Sequence, residues 1–305
     1  MSGFIWRLSG FVEILRIHNL LVSAMATFLG FNAVYVVVSN RACIDLASVI
    51  IPVITVILVA GGGYVINDYY DAEIDAINKP SRPIPSGRVN RNEALILSLI
   101  LMIIGVTLSL TIGLITFFYA IFNGLLLIAY SKELKKEGVI GNLAISVASA
   151  NSIIFGGLAL SEICKEITLV TYTLIPALYA FGFTFMREII KGVEDVIGDS
   201  KRGVKTLATT KGVKYASQIS LALMVFIVMF SPYPYLSNMY GITYLALVTV
   251  TDTLLLYSII KLVRARSEPD IIKASASLRS YTKVAMFVGI MAFLADLLMK
   301  IYVEV

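Results

Sequence analysis

LASVIIPVITVILVAGGGYVINDYYDAEID, residues 46–75, puts two patterns end to end. Residues 46–66 hold no charged side chain, and the run is about as long as the roughly 20 residues a helix needs to cross a bilayer. Directly after it, Asn67, Asp71 and Asp75 recur at i, i+4 and i+8. Residues four apart are neighbours on a helix surface. The stretch therefore predicts a membrane helix whose end presents a stripe of oxygen donors.

The same apolar grammar repeats along the chain. Runs at 20–38, 94–112, 114–129, 139–160, 168–186, 213–230, 242–263 and 284–303 are long and predominantly apolar. The chain is 58% hydrophobic, against about 45–50% in soluble domains. A barrel is excluded, because its strands alternate in polarity and run only about 10 residues. The expectation is an all-α polytopic membrane protein with nine transmembrane helices, inserted directly with its first helix retained. No Pro/Ser-rich linker divides residues 1–305, which read as a single domain. Long polar connections after the second and sixth spans suggest two weakly related four-helix halves plus a ninth helix.

The charges show which way the chain faces. Lys79, Arg82, Arg88 and Arg91 follow the second span, and Lys132, Lys135 and Lys136 follow the fourth. Arg187, Lys191, Lys201, Arg202, Lys205 and Lys211 follow the sixth; Arg264, Arg266, Lys273, Arg279 and Lys283 follow the eighth. The opposite connections hold only Arg41 and Lys165. The positive-inside rule puts the basic loops in the cytoplasm of a multi-pass cell-membrane protein. Arg7 and Arg16 place the N-terminus there too, and nine spans put the C-terminus outside. Orientation accounts for the net charge of +5, so nucleic acid is not an expected partner. Cys43 and Cys164 both fall in external connections. They read as unrelated thiols, with a bridge left open.

The sixth span leads into a second polar loop carrying Arg187, Glu188, Lys191, Glu194, Asp195 and Asp199. Asp195 and Asp199 again share a helix face. Two carboxylate stripes repel when empty; a divalent cation with an anionic ligand resolves this. Mg²⁺ favours hard oxygen ligands and commonly bridges carboxylates to phosphates. The interleaved Arg82, Arg88, Lys132, Arg187 and Lys191 match a diphosphate, because guanidinium and ammonium groups both bind phosphate. The one histidine, His18, reads as interfacial, so Ser-His-Asp and Cys-His schemes lack their base. Gly61 to Gly63 read as a close helix-packing patch. Asp252 should face the protein interior. Asp296 and Lys300 are placed to pair, and Asn123 and Asn151 to make helix contacts or line a cavity.

Asn67-Asp68-x-x-Asp71-x-x-x-Asp75, Arg82-Pro83-Ile84-Pro85-Ser86-Gly87-Arg88, Tyr130-Ser131-Lys132 and Asp195-x-x-x-Asp199 together resemble the UbiA superfamily of intramembrane prenyltransferases. The resemblance implies nine helices around a central cavity with a lateral opening, and Mg²⁺-dependent transfer of an isoprenoid from its diphosphate. Carried over by position, Asn67, Asp71, Asp195 and Asp199 would hold the metal and the diphosphate, with Asp68 and Asp75 beside them. Arg82, Lys132, Arg187 and Lys191 would contact phosphate oxygens, and Arg88 is a further basic candidate. Tyr130 would lie near the allylic carbon, with Tyr64 and Phe122 as further aromatic faces for a cation. Asn19 matches a polar position early in the first helix.

Within the superfamily, residues 67–88 resemble the branch that makes archaeal ether lipids. That implies geranylgeranyl diphosphate as donor and a lipid-like acceptor, geranylgeranylglyceryl phosphate, with the active site facing the cytoplasm. The rival enzyme reading is prenylation of an aromatic ring in quinone synthesis. The rival from another class is a transporter, which would put its acids near the bilayer midplane rather than at span ends.

Overall fold

The computed structural model describes residues 2–201 and 203–303; Arg202, one of the basic loop residues, lies outside them. The described residues form helices and connections, without a strand. The helices are α1 (Ser2–Ile14), α2 (Ile17–Tyr35), α3 (Leu46–Asn78), α4 (Arg91–Ser109), α5 (Leu114–Lys132), α6 (Val139–Ile163) and α7 (Leu174–Glu194). They continue with α8 (Val196–Lys201), α9 (Leu207–Lys211), α10 (Val213–Phe230), α11 (Tyr233–Leu236), α12 (Ile242–Arg264) and α13 (Glu268–Val303). Among the described residues, nine helical segments are long and apolar enough to cross a membrane, the number read from the sequence.

The helices outrun the apolar runs that predict them. α3 has 33 residues and is about 50 Å long at 1.5 Å per residue. The hydrocarbon layer is about 30 Å thick. The turns beyond residue 66 thus continue the same helix past the apolar span and carry the acidic motif on it. α3 is capped at its start by a reciprocal pair: Ser48 N–H donates to Asp45, and the Asp45 N–H donates to Ser48 Oγ.

The chain divides into two compact units, Met1–Glu133 with Asn151–Thr171, and Leu134–Ala150 with Tyr172–Val305. In the first, α3 runs beside α4 and also packs on α2 and α5. In the second, α13 runs beside α12, and α7 packs on α10 and α13. The core of this second unit is built on Met186, Ile189, Val193, Met224, Leu255 and Leu278.

Several polar groups within the spans find partners inside their own unit. Asn151 donates to Asn123 Oδ1 at 2.8 Å and accepts from the Tyr119 hydroxyl at 2.7 Å. Both asparagines therefore make helix contacts. Asp252 accepts from Ser231 Oγ at 2.6 Å. Asp296 on α13 accepts the backbone N–H groups of Gly241 and Tyr244 at the start of α12. Helix starts carry unpaired N–H groups and a partial positive charge, so Asp296 caps α12 from a neighbouring helix. Its predicted pairing with Lys300 is present at 3.5 Å. Glu162 does the same for α5, accepting from Ile115 and Thr116 N–H.

The two cysteines are not unrelated thiols: Cys43 and Cys164 are joined in a disulfide across a sequence separation of 121. The cause lies in how α2 meets α6. A Cβ on Gly30 would sit 1.7 Å from the Ile153 carbonyl oxygen, and one on Gly156 would sit 1.9 Å from that of Thr27. Only glycine allows backbones this close, and the contact sets the connection after α2 beside the end of α6. Phe31, Val34 and Leu160 fill the contact, with Cys164 packed against them. We expect denatured, unreduced protein to resist a maleimide and reduced protein to label at both cysteines. Reduction should also lower the thermal midpoint, because a loop this long costs several kcal/mol of closure entropy in a chain-entropy account. Labelling without reductant would contradict the bridge.

Candidate active site

The acidic motif at the end of α3 is split between two helix faces. Asn67 Nδ2 donates to Asp71 Oδ2 at 3.1 Å, and both side chains are half-buried. Asp68 and Asp75 are buried, at 5% and 6% exposure, and they face two arginines. Arg16 donates to Asp68, and Arg82 donates to Asp75. Arg82 also lies 3.6 Å from Asp68.

This corrects the expectation that Asn67, Asp71 and Asp75 form one stripe. At about 100° per residue, Asp75 sits about 80° from Asn67 but only about 20° from Asp68. Seven residues close two turns better than eight do. Asp75 therefore joins Asp68 on the packed face, while Asn67 and Asp71 remain together as the oxygen-donor pair.

The arginines explain why two carboxylates can be buried so near each other. A buried charge must be paired, or its desolvation costs several kcal/mol. Arg16 and Arg82 supply the pairing from different segments. Arg82 belongs to the connection after α3, whereas Arg16 stands between α1 and α2 with φ of +52°. The Arg16 guanidinium also lies 5.5 Å from the centre of the Tyr64 ring, one turn before Asp68. In the sequence Arg16 stands out only as a basic residue that orients the N-terminus. Its one visible signal was the nearby Asn19, which is half-buried here.

Arg88 donates to Glu13 at 2.5 Å, to Ser86 Oγ at 3.0 Å and to the Ser81 carbonyl at 2.5 Å. It pins the connection that carries Arg82. Lys132 ends α5, pairs with Glu133 at 3.5 Å and is 58% exposed. Tyr130 lies half-buried two residues earlier. Phe122 falls on the exposed stripe of α5 with Phe118 and Leu125, opposite the packed Ala120 and Gly124. It is not among the aromatics drawn to the motif. Gly62 is the packing contact predicted for the glycine run, since its carbonyl accepts from Ser98 Oγ of α4 at 2.8 Å.

In the second unit, the end of α7 carries the other group of candidates. The backbone N–H of Asp199 donates to the Asp195 carbonyl at 2.9 Å. The helical register thus runs through the joint between α7 and α8, and the two carboxylates share a face. Lys191 pairs with Glu188 at 3.4 Å, and Arg279 of α13 pairs with Glu194 at 3.3 Å. Arg187 is different. Its Nε is buried with no hydrogen-bond partner among the described residues, and its Nη1 reaches only Met286 Sδ at 3.9 Å. Among the described residues, no three His, Cys, Asp or Glu side chains converge as a metal cluster.

Comparison with known proteins agrees with these motifs. The model of the UbiA prenyltransferase family matches residues 23–288. A digeranylgeranylglyceryl phosphate synthase from Hyperthermus butylicus is 42% identical over 95% of this chain and 97% of its own length. A solved structure concerning digeranylgeranylglyceryl phosphate synthase is 32% identical and has a TM-score of 0.71, covering 95% of this chain and 98% of that one. A UbiA homologue from Archaeoglobus fulgidus, solved with DMAPP and Mg²⁺, shares the fold with a TM-score of 0.61 at 16% identity, over 90% of this chain and 98% of that one. With a family match over most of the chain and relatives of this similarity along nearly all of it, the protein belongs to the UbiA prenyltransferase family and is a membrane-embedded prenyltransferase.

Proposed function

We propose that the enzyme transfers a geranylgeranyl group from its diphosphate to the hydroxyl of geranylgeranylglyceryl phosphate, forming the ether of an archaeal membrane lipid. The observation that carries this reading is the similarity, along nearly the whole chain, to relatives named for that reaction. The motif chemistry supports it. Asn67, Asp71, Asp195 and Asp199 would hold Mg²⁺; all four offer oxygen, which suits a hard cation. When bound, the metal neutralises charge on the diphosphate.

The remaining steps rest on the protein's own groups. Arg187, Lys191 and Lys132 donate to diphosphate oxygens, and Arg187 brings a guanidinium Nε that no acceptor among the described residues occupies. Arg82 and Arg16, paired with Asp75 and Asp68, neutralise the buried carboxylates of the α3 end so that Asn67 and Asp71 hold their orientation. Donors fixed before reaction stabilise charge as it develops and cost no reorganisation. The C–O bond breaks with its electron pair leaving on the diphosphate. The Tyr64 and Tyr130 rings face the allylic cation, worth about 0.5–2 kcal/mol each. The acceptor hydroxyl attacks, and its proton passes to the departing diphosphate. The basic loops place this chemistry on the cytoplasmic side.

We expect Asp71→Ala or Asp195→Ala to lower turnover by about 10²-fold or more while the protein still elutes as a folded, helical species. Near-normal turnover by the folded double variant would remove the metal assignment. Chelation should abolish activity, and Mg²⁺ should restore it better than softer divalent ions; full activity after thorough chelation would contradict this. The acceptor is decided by competition. Labelled geranylgeranyl diphosphate, offered both geranylgeranylglyceryl phosphate and 4-hydroxybenzoate, should label only the lipid. Label on the aromatic ring alone would replace the ether-lipid reading with the quinone one.

A further inference from the structure

The apolar run that marks the first span begins at residue 20. The structure holds a separate helix before it. α1 ends at Ile14, and Arg16, with its left-handed φ of +52°, interrupts the helix before α2 begins at Ile17. With 13 residues, α1 is about 20 Å long, too short to cross a hydrocarbon layer of about 30 Å.

Its side chains fall into three sectors when wound at about 100° per residue. Arg7, Gly10, Phe11 and Ile14 point to the protein. Ile14 is fully buried, in a cluster with Val89 and Ala94 against which Phe11 packs. Arg7 pairs with Glu93 at 2.6 Å, and a Cβ on Gly10 would lie 2.7 Å from Arg88 Cβ. Ser9 and Glu13 form a polar sector. The third sector holds Phe4, Ile5, Leu8 and Val12, exposed by 74, 61, 51 and 51%.

The contacts that hold α1 also set its level along the neighbouring span. Glu93 and Ala94 are in the first turn of α4. The outward apolar face of α4 begins directly afterwards with Ile96, Leu99 and Ile100, at 57, 42 and 48% exposure. The bare sector of α1 thus lies at the edge of a surface that lipid covers, on the membrane face that carries the acidic motif. A helix with an apolar sector, a polar sector and too little length to span is the form that rests in the interface plane. Trp6, 49% exposed, borders the polar sector, and tryptophan favours the headgroup level.

We propose that α1 is an interfacial helix whose Phe4, Ile5, Leu8 and Val12 insert into the headgroup boundary of the bilayer. Its occupant is lipid, and the proposal does not depend on which acceptor the enzyme uses. Because α1 holds Arg88 through Glu13, at 2.5 Å, this seat also braces the connection that carries Arg82.

Trp6 is the chain's one tryptophan, so fluorescence excited at the red edge, where tyrosine does not absorb, reports on α1 alone. The experiment reconstitutes the full chain in phosphatidylcholine vesicles brominated either near the headgroup end of the acyl chain or near its methyl end. The shallow bromines should quench Trp6 about twofold more strongly than the deep ones, and aqueous iodide should quench it weakly. A Leu8→Glu, Val12→Glu variant should shift emission to longer wavelength and exchange lipid quenching for iodide quenching. Three results with the unmodified chain would overturn the proposal. Dominant iodide quenching would mean a solvated helix, dominant deep-bromine quenching would mean an inserted one, and protection from all quenchers would mean a protein partner such as a second copy.

Discussion

Two carboxylates on one helix face, buried at the end of an apolar span, repel each other and have lost their water. Asp68 and Asp75 tolerate that position because Arg16 and Arg82 lie against them. Breaking one member of such a set strands a buried charge, at a cost of about 3–5 kcal/mol. The four residues come from three segments: the joint before α2, the last turns of α3, and the connection that follows. Their mutual neutralisation therefore fixes how those segments meet. Asn67 and Asp71, which hydrogen-bond to each other, lie on a different face of α3.

The same economy of polar groups runs through the spans. Lipid supplies no hydrogen bonds, so backbone and side-chain polar atoms must be satisfied within the protein. Asp296 and Glu162 do this for the starts of α12 and α5, each reaching from a helix distant in sequence. Asn123, Asn151 and Tyr119 satisfy one another. Close helix approach does the rest, at Gly30 and Gly156 between α2 and α6. Acids that a soluble protein would leave in water are here helix caps, so an acidic residue within a span is not by itself a sign of chemistry. Asp296 and Glu162 are engaged in this way, whereas at the end of α3 Asp68 and Asp75 are ion-paired with Arg16 and Arg82.

Nine residues carry two separate pairs because of helix geometry. Positions separated by seven lie nearly in line along a helix, whereas positions separated by eight have drifted by most of a quarter turn. The motif thus presents one aspartate pair to the arginines and the Asn67–Asp71 pair in another direction. Arg187 on α7 shows the complementary case, a buried cation whose Nε has no partner among the described residues.

The number of spans, the family, the Asn67–Asp71 pair and the Asp195–Asp199 pair were all legible in the sequence. Each depends on local patterns: runs of apolar residues set by bilayer thickness, and spacings of four set by the helix repeat. The pairing of Asp296 with Lys300 and the packing role of Gly62 were legible for the same reason. Tertiary structure alone decided that Asp75 joins Asp68, that Arg16 reaches the motif, that Arg88 braces its own loop, that Cys43 meets Cys164, and that α1 is a separate helix with one bare apolar sector. Those outcomes depend on which residues, tens of positions apart, are brought within a few ångströms. Helix packing and the cost of burying charge determine that, and neither leaves a periodic mark in the sequence.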